Sequence, residues 1–180
     1  MSLEEQLVAE VPNLRAFARS LAQNHAVADD LVQETILKAW RNLERYQTGT
    51  NLRAWLFTIL RNTFISLKRK YKREVEDVDG VHAARNVQNA EQDGAMALAD
   101  FRRALGTLPI EQREAIVLVG AEGFTYDEAA KICGCASGTV KSRVSRARKS
   151  LSALLHFEPE DLISNATTVI PPPVSTRLRP

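Results

Sequence analysis

The chain is short of most of what builds a secreted scaffold, a metal centre or an enzyme. Its 180 residues include two cysteines and three histidines. Cys133 and Cys135 stand one residue apart, too few for a disulfide framework and without the partners a zinc site needs. They read as small packing residues in a reducing compartment. His25, His82 and His156 are scattered and form no ligand cluster. No run of about 18 apolar residues is present, which argues against a membrane-spanning helix, and the acidic start leads into no apolar leader segment. Eight glycines, 6% aromatics and no sustained alternation of apolar and polar residues argue against a sheet. No Ser-His-Asp set, phosphate loop or supported carboxylate pair is visible, so neither catalysis nor a cofactor is expected. The net charge of +2 is small, so any affinity for nucleic acid must come from local clustering. What remains is an all-α, cytoplasmic protein.

The stretch Thr125–Lys149, TYDEAAKICGCASGTVKSRVSRARK, carries the clearest signal. Thr125 and Glu128 have the spacing of a capping box. Phe124 and Ala129 are placed for a hydrophobic staple, Gly134 for a turn, and Ser137 for the N-cap of a second helix. Val140, Val144, Ala147 and Leu151 recur at i, i+4, i+7 and i+11, one buried stripe. The other faces carry Lys141, Ser142, Arg143, Ser145, Arg146, Arg148 and Lys149 with no acidic residue among them. Taken alone, a basic run is more often a solvated helix face. Cap, glycine turn, stripe and one-signed charge together predict a helix-turn-helix whose second helix enters a major groove.

Ahead of it lie three more helical stretches. In residues 3–22 Leu3, Leu7, Val11, Leu14, Phe17, Ala18 and Leu21 have helical spacing, broken or kinked at Pro12. The segment DDLVQETILKAWRNLERY follows, with Val32, Ile36, Trp40 and Leu43 expected to face inward and Asp29 and Asp30 in the first turn. Gln33, Glu34, Leu37, Lys38 and Arg41 then form its outer face. After the loop YQTGTN comes a long helix that begins apolar (Leu52, Trp55, Leu56, Ile59, Leu60) and turns basic. Between Arg61 and Arg73 it holds no acid, and Trp55, Phe64 and Tyr71 interleave with the charge, a pattern that suits unstacked or single-stranded nucleic acid. Core packing is an equal reading for Phe64 and Trp55. The pattern lapses over 75–92, a linker, and resumes over 93–155 with Phe101, Leu105 and Leu108 closing one helix, Pro109 opening another and Gly123 stopping it. Residues 156–180 are rich in Pro, Ser and Thr, a tail expected to be disordered or to dock only through a short segment such as Phe157–Ile163.

In this order, DDLVQETILKAW, YQTGTNLRAWLFTILRN, LPIEQREAIVLV and the helix-turn-helix block resemble the extracytoplasmic-function sigma factors of bacterial RNA polymerase over about residues 5–155. The resemblance implies a region 2-like domain (1–74) that binds core polymerase and reads the −10 element, and a region 4-like domain (93–155) that reads the −35 element. It implies contact of Asp30, Gln33, Glu34, Leu37 and Lys38 with the polymerase β′ clamp, and of the second domain with the β flap. Tyr46, Gln47, Thr48, Gly49, Thr50, Asn51 and Leu52 match the loop that captures a flipped −10 base, supported by Trp55 and Asn62, with Arg61, Lys68, Arg69 and Lys70 on the backbone. Lys141, Ser142, Ser145 and Arg146 match −35 base-reading positions; Arg143, Arg148 and Lys149 are better placed for phosphate. Where relatives often have an acid, this chain has Ser66. RNTFISLKRKYKREVED and ICGCASGTVKSRVSRAR are similar to the general-stress-response (EcfG) type, held by a NepR-type anti-sigma protein. Two alternatives stand beside this: a sigma-like decoy that titrates an anti-sigma factor, and a plain helix-turn-helix regulator.

Overall fold

A computed structural model describes residues 2–47, 49–76 and 93–155, and every regular element among them is helical. The chain runs α1 (Leu3–Ala9), α2 (Val11–Ala22), α3 (His25–Arg41), a 3-10 turn (Leu43–Arg45), α4 (Leu52–Glu76), α5 (Asp93–Thr107), α6 (Ile110–Ile116), a π-helical turn (Val117–Ala121), α7 (Tyr126–Cys133) and α8 (Ser137–Leu155). Helix α4 runs on to Glu76, two residues into the stretch expected as linker. Thr48, His82, His156 and the Phe157–Ile163 segment lie outside the described residues.

Local chemistry sets most of the boundaries. Ser2 and Glu5 form a capping box at α1, and Pro12 sits in the first turn of α2, where its missing N–H costs nothing. Asn24 caps α3 by accepting from the Val27 N–H, one turn earlier than the sequence suggested, so Asp29 and Asp30 fall outside the first turn. Leu7, Leu14, Phe17, Leu21, Leu31, Leu56, Phe57 and Leu60 are buried where α1 to α4 meet, with the Phe17 and Phe57 rings stacked at 5.0 Å. The buried side of α3 is Ala28, Leu31, Val32, Thr35 and Ala39. Trp40, expected to point inward, is 49% exposed, because small Ala39 occupies that contact instead. Of the three apolar residues expected to close α5, Leu105 and Leu108 are buried and Phe101 lies on the surface.

In the second half Leu118, Ile132, Val140, Val144, Ala147 and Leu151 are buried. The Thr125–Glu128 capping box forms in both directions, and Gly134 ends α7 at φ +63, a left-handed turn that glycine enters without a Cβ penalty. Ser137 is the first residue of α8 rather than its cap; the Ala136 carbonyl accepts from the N–H groups of Thr139 and Val140. After α6 the backbone widens by one residue, with the Glu122 N–H reaching the Val117 carbonyl at 2.9 Å, and Gly123 follows at φ +72.

Candidate nucleic-acid interface

On α8 the apolar stripe turns wholly inward, which fixes the opposite face outward. Lys141, Ser145, Arg146 and Lys149 are exposed; Ser142, Arg143 and Arg148 are half-buried. Lys141 lies 5.7 Å from the centre of the Tyr126 ring, so the aromatic of α7 steers the cation. Arg143 leans in instead, its guanidinium 3.7 Å from the Cys135 Sγ.

The loop before α4 is braced from both ends. The Tyr46 hydroxyl donates to the Thr50 carbonyl, and the Tyr46 and Trp55 rings lie 5.3 Å apart. The Asn51 Oδ1 caps α4 by accepting from the Ala54 N–H at 3.0 Å. Gln47, Gly49 and Thr50 are exposed around this support, while Leu52 is buried beneath it. Farther along α4 Asn62, Lys68, Arg69 and Lys70 are exposed, and the Ser66 hydroxyl donates to the Asn62 carbonyl. Phe64 is buried and belongs to the core; Tyr71 is exposed.

On α3 Asp30, Gln33 and Leu37 are exposed and Glu34 and Lys38 half-buried. Lys38 pairs with Glu34 at 3.4 Å and donates to the Thr63 hydroxyl of α4 at 3.2 Å. Leu37 and the misjudged Trp40 lie one turn apart, an exposed apolar pair inside a polar patch.

The structure also brings the two halves together along a seam that sequence reasoning missed. Arg53 of α4 reaches Glu10 at 3.2 Å and Glu122 at 2.5 Å, and its guanidinium lies over the rings of Phe57 and Phe124, 5.3 and 4.8 Å from their centres. Arg61 pairs with Glu114, and Asn51 donates to Glu128 at 2.8 Å. Arg113 of α6 is buried and donates to four carbonyls: Ser20 and Leu21 at the end of α2, Gly106 and Leu108 at the end of α5. Helix C-termini supply the negative charge that a carboxylate would otherwise give it. Burial pushes the Glu114 and Glu122 carboxyls up, against the opposing pull of Arg61 and Arg53. Beside this seam two adjoining hollows, about 450 and 520 Å³, share Leu21, Phe64, Lys68 and Ile110. Among the described residues no His, Cys, Asp and Glu cluster could hold a metal ion, and no helix is long and apolar enough to cross a membrane.

A family model described as Sigma-70 region 2 matches residues 7–74, and one described as Sigma-70, region 4 matches residues 98–151. The ECF RNA polymerase sigma factor EcfG of Rhodopseudomonas palustris is 54% identical over 168 residues, 90% of this chain and 93% of that one. The sigma factor RpoE of Bartonella quintana, solved in complex with the anti-sigma factor NepR, matches with a TM-score of 0.79 and 53% identity, over 85% of this chain and 96% of that one. The PhyRSL–NepR complex of Sphingomonas sp. Fr1 shares the fold alone, at a TM-score of 0.65 and 20% identity over 86% of this chain and 90% of that one.

Proposed function

The chain belongs to the sigma-70 family, with regions 2 and 4 as its two helical halves, and from that premise we infer that it is an extracytoplasmic-function sigma factor. It binds core RNA polymerase in the cytoplasm and directs initiation at promoters carrying paired −35 and −10 elements. It has no covalent chemistry of its own; the polymerase supplies the active site. The observation that carries this reading is the pairing, in one chain, of two basic helices: α4, acid-free from Arg61 to Arg73 and set behind a braced loop, and α8, acid-free throughout and completing a capped helix-turn-helix.

In region 2, residues 1–74, Leu37 and Trp40 form the apolar centre of the surface that meets the β′ clamp, ringed by Asp30, Gln33, Glu34 and Lys38. The loop 46–52 takes the flipped −10 base against the Tyr46–Trp55 pair with Asn62 in support, and Arg61, Lys68, Arg69 and Lys70 hold the strand. Unstacking one base costs a few kcal/mol, which a braced pocket returns through packing and hydrogen bonds. In region 4, residues 93–155, Lys141, Ser142, Ser145 and Arg146 read −35 bases while Arg148 and Lys149 hold phosphate. Each reader is weak alone; polymerase fixes their separation and makes the second contact effectively intramolecular. Likeness to EcfG and to the NepR-bound sigma factor supports a general-stress-response role under a NepR-type anti-sigma protein. The intact basic faces of α4 and α8 tell against a decoy, and the region 2 half tells against a plain helix-turn-helix regulator.

The test is transcription in vitro with purified core polymerase on a pool of random promoters. Start sites that require this chain and share paired −35 and −10 motifs are the expected result. Duplex binding with no need for polymerase, or no start sites at all, overturns it.

A further inference from the structure

We propose that Arg143 positions the recognition helix instead of holding DNA. By tying α8 to the turn of the helix-turn-helix, it sets the angle at which Lys141, Ser142, Ser145 and Arg146 meet −35 bases. The inference rests on the function proposed above. The resemblance places Arg143 with Arg148 and Lys149 on phosphate, but helix geometry gives it a different place. At about 100° per residue Arg143 falls roughly 60° from Val140, at the edge of the buried stripe, whereas Lys149 falls opposite that stripe. Arg143 is accordingly half-buried and Lys149 exposed.

The guanidinium finds its partners inside region 4. Its Nη1 donates to the Cys135 Sγ at 3.7 Å, eight residues back and just past the left-handed Gly134. Cys135 is a fixed point, because its own N–H donates to the Ala130 carbonyl at 3.0 Å and closes the end of α7. The Arg143 charge also reaches two buried groups, Glu114 of α6 and Cys133 of α7. Burial raises the Glu114 carboxyl, and Arg61 and then Arg143 pull it back. The Cys133 thiol, raised by burial and by Glu114, is pulled back by the same two cations. Swinging Arg143 out to a phosphate would leave that buried carboxylate less well compensated. The start of α8 needs such a tie. Ala136, the residue before its first turn, offers no capping oxygen, and Gly138 has no side chain to pack. Bidentate base contacts tolerate little error in the angle of the helix that carries them.

The experiment titrates the full chain with core polymerase on two promoters, at several salt concentrations. One promoter carries its −35 element; in the other that element is scrambled. The readout is the ratio of the two half-saturating concentrations. Loss of folded protein weakens both promoters by one factor and leaves their ratio unchanged, so the ratio reports positioning and not stability. Arg143→Met keeps the apolar stem and removes the fork. The expected result is a ratio reduced about three- to tenfold, part of what the base contacts supply, with the dependence on salt unchanged. Cys135→Ala leaves the arginine in place and should move the ratio in the same direction. It also carries the test if circular dichroism shows that Arg143→Met does not fold. A salt dependence shallower by about one phosphate contact, with the ratio intact, returns Arg143 to phosphate and overturns the inference. So does a ratio unchanged in both variants. A wild type with no dependence on a −35 element overturns the sigma-factor reading and this inference with it, an outcome distinct from the other two.

Discussion

The Arg61 guanidinium on the basic helix donates to the buried carboxylate of Glu114, 53 residues later in the chain and in the other half of the fold. Burial wins over this partner, and the Glu114 carboxyl titrates above its ordinary 4.5. Glu122, facing Arg53, is displaced in the same direction for the same reason.

A raised carboxyl binds more protons folded than unfolded, so its stabilising contribution is full below the unfolded pKa and is lost as pH rises through the folded one. Denaturant midpoints of wild type and of Glu114→Gln, Glu122→Gln, taken from about pH 4 to pH 7, should therefore diverge. Relative to the variant, wild type loses stability as pH climbs above 4.5. Glu128 works the other way, because its bonds to the Thr125 backbone and hydroxyl hold its carboxyl low, so its contribution is lost only as pH falls below that range. Parallel curves for the two proteins would remove the burial argument.

Arg113→Met should cost about 2–4 kcal/mol, since it strips donors from carbonyls at two helix ends. Thermal melts should show a fall of several degrees. Arg113→Lys should rescue little, because one ammonium cannot span four carbonyls that a planar guanidinium reaches at once. Full rescue by lysine would mean that charge, and not the forked geometry, is what the site needs.

Lys141→Ala and Arg146→Ala should each weaken engagement of a cognate −35 element by about 1–3 kcal/mol and relax selectivity at one position. Arg148→Ala should weaken all promoters alike and flatten the salt dependence. Promoter titrations at several salt concentrations separate the two classes, and unchanged selectivity in both base-reading variants removes the recognition-helix assignment.

Alkylation of the native chain near pH 8 should modify one thiol, at Cys135, which is partly exposed. Burial pushes the Cys133 thiol up to about 12, leaving almost none of it as the reactive thiolate. Mass spectrometry of labelled peptides should find Cys133 modified only after denaturation.

Much of this architecture was legible in the sequence where the signal is local. The Thr125–Glu128 box, the glycines at 123 and 134 and the stripe Val140, Val144, Ala147, Leu151 each depend on neighbours within a few turns, and each forms as read. Local reading failed where two residues compete for one role. Trp40 and Ala39 both fit an inward position on α3, and the close approach of packed helices selects the smaller. Asn24 captures the start of α3 before Asp29 or Asp30 can matter. The seam was illegible for a different reason. Nothing in the pattern around Arg53 tells which carboxylate, 43 residues before it or 69 after, will meet its guanidinium. The residues assigned to promoter contacts were named by resemblance, and Arg61 and Asn51 carry partners that no motif discloses.

The Arg53 bridge bears on how freely the two halves can be traded between relatives. A chimaera that takes region 2 from one sigma factor and region 4 from another splits Arg53 and Glu10 from Glu122, and Arg61 from Glu114. Unless the donor supplies matching charges, one half arrives with a cation facing nothing or a buried carboxylate left unmatched. Modularity in such a chain therefore extends to its promoter preferences but stops at the seam, where the halves must be exchanged as a co-adapted pair.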